Sequence, residues 1–156
     1  MVRVISDGEV RMTFAPAVAI ITAPTVAEVE TAGTDITPFL SSLDTPLDGE
    51  AVDSSDLASA FNKSVAGTFG GGMDGTFYRD DTTDTAWTTF VRNTTGFITI
   101  RRFGGSTVLM TIADVVEVWP VRVITRSPAT MDRNNVQMFT VNYATTGEPE
   151  LAAVVA

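Results

Sequence analysis

Residues 114–126 read DVVEVWPVRVITR, the longest of a series of segments rich in β-branched and aromatic residues. That composition, broken by turn signals, is the signature of strands. Pro120 sits inside the run. Proline has no amide hydrogen to give to a ladder, so it marks a bulge, a bend or an edge position. Working outward, GFITIRRF (96–103) and TVLMTI (107–112) precede this run, and NNVQMFTVNYAT (134–145) and the apolar tail LAAVVA (151–156) follow it. At the amino end VRVIS (2–6) alternates with Val2 and Val4 on one face. VRMTF (10–14) does the same with Val10, Met12 and Phe14. Asp7-Gly8 between them is a tight-turn signal, so residues 1–14 read as a hairpin. TFYRD (76–80) adds a strand with Phe77 and Arg79 facing opposite Tyr78. The fold class expected is mainly β: eight or so strands and one flanking α-helix, as a β-sandwich or partly open barrel.

The helix is predicted from DTTDTAWTTFVRN (81–93). Thr83 or Asp84 can cap its amino end, and Arg92 sits near the carboxyl end, as the macrodipole favours. Trp87, Phe90 and Val91 fall at i, i+3, i+4 and make one apolar stripe, expected to anchor the helix on the sheet. Gly96 is the expected stop. Between Pro16 and Pro38 the prolines and β-branched residues favour extended chain over a helix around Val26–Val29. Residues 41–56, SSLDTPLDGEAVDSSD, are polar, acidic and turn-rich, and read as a long loop. DLASAFNKSVAGTF (56–69) is ambiguous between helix and strand, and the glycines of FGGGMDG (69–75) are expected to break any regular element.

The 156 residues suit one domain with a real core, and 44% hydrophobic against 19% charged residues argues against disorder. No cysteine and no histidine are present. Disulfides, thiolate metal sites and Ser-His-Asp or Cys-His catalysis are therefore excluded. The amino terminus has no apolar signal core and no stretch is long enough for a membrane helix, so a soluble cytoplasmic product without a membrane anchor is expected.

The net charge is -9. Ten bases against nineteen acids argues against ordinary nucleic-acid binding, which neutralises phosphates with Lys and Arg. Residues 28–56 hold eight acids and no base. They read either as a solvated face or as a surface that repels phosphate or docks on a basic partner. Residues 1–84 carry four bases and fourteen acids, net -10, and residues 85–156 six bases and five acids, net +1. Two such halves suit head-to-tail pairing between identical subunits; chance plus one acidic loop gives the same count. The glycines at 70–72 and 75 lack the Gly-Lys-Ser/Thr ending of a phosphate loop. Asp80, Asp81 and Asp84 match no calcium-loop spacing, and acids belong before a helix start anyway. No metal, cofactor or catalytic residue is expected.

Three segments resemble the major tail tube proteins of long non-contractile-tailed bacteriophages, the actinobacteriophage type in particular. They are TAPTVAEVETAGTDIT (22–37), with PTVAE and GTDIT its most telling parts; YRDDTTDTAWTTFVRNTTGFITIRRFGG (78–105), the strongest; and residues 113–156, from ADVVEVWP to LAAVVA. Residues 41–75 are less distinctive. The resemblance implies a non-enzymatic virion protein whose hexameric rings stack into a tube. Strands of each copy would complete a ring-wide barrel around an acidic lumen, through which DNA passes without specific binding. It implies a single tail tube domain over 1–156, with a C-terminal arm at about 147–156 carrying Leu151, Val154 and Val155. The loop at 41–56, with Asp44, Asp48, Glu50, Asp53 and Asp56, is the expected contact between subunits or rings. Implied partners are copies of itself and the tape measure, tail terminator and distal tail proteins. The implied location is the virion tail, with the host cytoplasm during assembly. Two other classes stay open. One is another virion β-protein: a tail terminator, head-tail connector or capsid decoration protein. The other is a β-sandwich binding module, which needs an exposed aromatic platform.

Overall fold

The computed structural model of the protein describes residues 7–55 and 64–156. Among these residues nine strands form one antiparallel open sheet, not closed into a barrel, so the expected mainly β class holds. The strands are β1 (Arg11–Ala15), β2 (Thr34–Asp35), β3 (Leu40–Asp44), β4 (Leu47–Asp53), β5 (Ser64–Tyr78), β6 (Thr95–Arg101), β7 (Val115–Pro128), β8 (Met138–Thr145) and β9 (Glu150–Val154). Their order is β2-β1-β6-β7-β8-β5-β3, with β4 also paired to β5 and β9 to β7. Among the described residues one short α-helix, α1 (Thr85–Thr89), lies against one face.

Period-two alternation sorts the side chains. Met12 and Phe14 of β1, Ile98 and Ile100 of β6, Trp119, Val121 and Val123 of β7, Phe139, Val141 and Tyr143 of β8, and Met73 and Phe77 of β5 share one face and form the main core. Ala86 and Phe90 complete it; the Phe90 ring meets Phe14 and Tyr143 edge-on, at centroid distances of 5.6 and 5.4 Å. A second cluster covers the opposite face, where Val116 and Val118 of β7 pack with Val29, Met110, Ala153 and Val155.

Pro120 marks a change of partner. Residues Val121–Pro128 of β7 pair with β8, and Val115–Val118 pair with β9. The Pro120 carbonyl accepts the Thr146 amide at 2.9 Å, at the bend between β8 and β9. The missing amide hydrogen thus falls where no ladder bond is required.

Several expectations are corrected. Residues 41–56 are no loop: as far as Ser55 they form β3, β4 and their turns. The glycines at 70–72 do not break the chain but lie inside the 15-residue β5. A Cβ on Gly71 would lie 2.6 Å from Leu47 Cδ2, and one on Gly67 would lie 2.7 Å from Val52 Cγ2. Glycine there admits the apolar side chains of the paired strand β4. The segment read as extended holds a π-helical turn (Ala27–Thr31) and a 3-10 turn (Thr37–Phe39). TVLMTI (107–112) is part of an irregular loop at 102–114, because its backbone bonds go to side chains rather than to a strand. Helix α1 ends at Thr89, so Phe90 still points inward but Val91 is 47% exposed and anchors nothing. Gly96 lies within β6 opposite Val121 and does not stop the helix. The Asp7–Glu9 turn is present, with Gly8 at φ +75°; Val2, Val4 and the rest of VRVIS lie outside the described residues.

Candidate assembly surfaces

Strands β4 and β5 make a ribbon that runs past the sheet. Residues 72–78 of β5 pair with β8, whereas 64–71 pair only with β4. The ribbon is exposed along β4, and Leu47, Val52, Val65 and Phe69 show large apolar side chains to solvent. Val52 and Val65 stand directly opposite each other. A lone two-stranded ribbon is marginal in water, so exposed apolar pairs on it mark a surface to be covered. Asp44, Asp48, Glu50 and Asp53 lie on its β3–β4 side, and Asp74 faces Asp44 across β3 and β5. Among the described residues 40–55 and 64–78 there is no base. Hydrogen bonds from Ser55 hold the Asp53 carboxyl below its usual range. Asp56 lies outside the described residues.

A second feature lies on the outer face of β1 and β6. Arg11 and Arg101 stand directly opposite each other, and both are buried. Like charges so placed repel unless neutralised. Glu30, from the π-helical turn, grips Arg11 through two bonds, Nε to Oε1 at 2.8 Å and a terminal nitrogen to Oε2 at 2.6 Å. Asp35 adds a contact at 3.1 Å. The hydrogen bond to Glu30 raises the Arg11 pKa above its ordinary value. Asp114 takes Arg101 at 2.7 Å and also accepts the Thr111 amide. That amide bond is the main reason its carboxyl is held below the usual range, with Arg101 helping.

The same clasp pins the loop at 102–114. Arg101 donates to the carbonyls of Gly105, Val108 and Leu109, Arg11 to that of Ser106, and Glu30 accepts the Met110 amide at 2.7 Å. Phe103, Val108, Leu109 and Ile112 are left pointing into solvent, Ile112 at 73% exposure. Sequence reasoning missed this clasp. Its one trace is an arginine at the alternate position of an apolar strand, and that trace says nothing of which strand pairs with which.

The C-terminal residues form β9, seated on β7 of their own chain. Val155 is buried and its amide reaches the Asp114 carbonyl at 3.0 Å, while Leu151 and Val154 remain exposed. Trp87 lies between two guanidiniums, Arg79 at 3.9 Å and Arg126 at 3.7 Å from the ring centroid, and meets Phe139 edge-on. Arg126 also donates to the Trp87 carbonyl. The helix is thus held by Trp87, Ala86 and Phe90 together. Trp119 is buried, so neither tryptophan forms an open aromatic platform. Among the described residues no cluster of three or more carboxylates is placed to hold a metal ion, and no helix is long and apolar enough to cross a membrane.

A family model described as phage tail tube protein matches residues 1–156. Among curated proteins none matches this sequence. Similar solved structures include a tail of an empty gene transfer agent particle refined with C6 symmetry, at 14% identity and TM-score 0.60, covering 97% of this chain and 100% of that one. A chain of the native gene transfer agent virion has 13% identity and TM-score 0.58, with 97% and 100% coverage. A chain of the six-fold symmetrised anti-feeding prophage baseplate has 12% identity and TM-score 0.57, covering 96% of each chain. At these identities the likeness is one of fold.

Proposed function

The chain belongs to the phage tail tube protein family, a structural and non-catalytic component of the virion tail, and from that premise we propose that it builds hexameric rings that stack into a DNA conduit. The observation that carries this reading is the acidic ribbon of β4 and β5, exposed in one copy and carrying apolar side chains that a neighbouring copy would cover. An open sheet with free edges is completed when neighbouring copies add their strands, and closure into a ring removes the edges. The six-fold arrangement in two of the similar assemblies supports a hexamer.

Charge supports the lumen. Six copies at -9 carry 6 × -9 = -54 per ring. Exposed charges act over roughly 8–10 Å before salt screens them. A wall rich in carboxylates gives phosphates no cation to exchange for, so DNA slides without adhering. The contact residues of the ribbon are Asp44, Asp48, Glu50 and Asp53, and the exposed Leu151 and Val154 of the C-terminal arm add an apolar strip on β9. The remaining partners are the tape measure, tail terminator and distal tail proteins, met in the host cytoplasm during assembly.

Negative-stain microscopy of concentrated purified protein tests the reading. Long tubes of uniform width are expected. Single rings or caps would point to a terminator, connector or capsid decoration role, and dispersed small particles to a stand-alone binding module; either outcome overturns it.

A further inference from the structure

We infer that the ribbon of one copy docks on the loop at 102–114 of the next copy within the same ring, an inference that rests on the tail tube reading. Strand register sets the geometry. Gly72 of β5 pairs with Ala144 of β8, Ala144 with Arg122 of β7, and Arg122 with Thr95 of β6. From that row the ribbon continues along β5 toward residue 64, β7 continues back toward Val115, and β6 continues toward Arg101 and the loop. Ribbon and loop therefore leave the sheet at the same end. They leave on different flanks, with β7 and β8 between β6 and β5. Two complementary patches at one level on different flanks make a side-by-side, heterologous contact, which closes into a ring when the rotation is right.

The two surfaces suit each other chemically. Residues 103–113 carry no charge, so they offer the acidic ribbon no repulsion. Arg102 stands at the base of the loop, about half exposed and paired with Glu117. The ribbon brings Leu47, Val52, Val65 and Phe69 flanked by Asp48, Glu50 and Asp53. The loop's backbone is held by the buried Arg11 and Arg101, so its apolar side chains are presented without a further ordering cost. Phe103, Leu109, Val52 and Phe69 are all exposed in the folded subunit.

The chain has no cysteine, which makes disulfide trapping free of background. The double variant F69C/L109C is assembled and oxidised with a copper(II) catalyst and dissolved oxygen, which takes the two electrons and two protons released as each disulfide forms. A non-reducing gel then shows a ladder that ends at six chains, while F69C and L109C alone show none. Tubes that form but give no ladder, or a ladder running past six because the ribbon reaches another ring, would overturn lateral docking and leave the tail tube reading intact. Wild-type protein that forms no tubes would overturn that reading instead, and this inference with it. If F69C/L109C does not assemble, V65C/I112C repeats the measurement at the adjacent contact.

Discussion

Replacing Glu30 by glutamine tests whether the buried clasp holds the outer face of the sheet. The Glu30 side chain is 8% exposed and that of Arg11 5%, so the pair is screened little by solvent. Glutamine keeps the shape and one acceptor oxygen but removes the charge. Arg11 is then left with Asp35, whose side chain is 40% exposed, and faces Arg101 across the strands with less compensation. Removing one partner of a buried ion pair costs about 3–5 kcal/mol; the retained acceptor places this change near the lower end, about 3 kcal/mol. For a chain of this size each kcal/mol moves Tm by about 2–4 °C, so a fall of about 6–12 °C is expected. Urea and thermal unfolding of dilute protein at pH 7, followed by circular dichroism, measure it. Asp35→Asn is the control and should cost under about 1 kcal/mol, because the Asp35 side chain is well exposed and Glu30 still neutralises Arg11. If E30Q unfolds within about 2 °C of wild type, the clasp does not stabilise the sheet and the argument is wrong.

Two further outcomes follow from the same structure. Phe90→Ala removes a fully buried ring and should cost about 3–5 kcal/mol, whereas Val91→Ser, at an exposed position one residue later, should change stability by no more than about 0.5 kcal/mol; equal effects from the two would restore the longer helix. The carboxyls of Asp114 and Glu28 are both held below the usual range, chiefly by backbone amides, those of Thr111 and Thr25 respectively. Their folded pKa values are depressed, so the stability they contribute is present above about pH 4 and is lost as pH falls through the folded values. The urea midpoint should therefore drop below about pH 4, and less so in an Asp114→Asn variant; a midpoint flat to pH 3 would contradict the bonds described.

The amino-acid sequence by itself determined the β-rich class, the inner face and the place of proline. Met12 with Phe14, and Phe139 with Val141 and Tyr143, announce their shared face because strand alternation is a local property of a few consecutive residues. Pro120 announces a break in pairing because its missing amide is a fact of the residue alone. The tail tube resemblance was legible in the same way, segment by segment. What the tertiary structure decided lies in contacts between distant residues. Gly71 reads as a breaker in isolation, and it is a strand residue because β4 lies across it with Leu47. Helix α1 stops early because Val123 of β7 donates its amide to the Thr94 carbonyl and its carbonyl accepts the Asn93 amide, pulling the chain into β6. Arg11 and Arg101 are 90 positions apart, and their burial required the β1–β6 register together with carboxylates from two other segments. Alternation assigns a side chain to a face; only the assembled sheet decides whether that face meets water, a carboxylate or another copy of the chain.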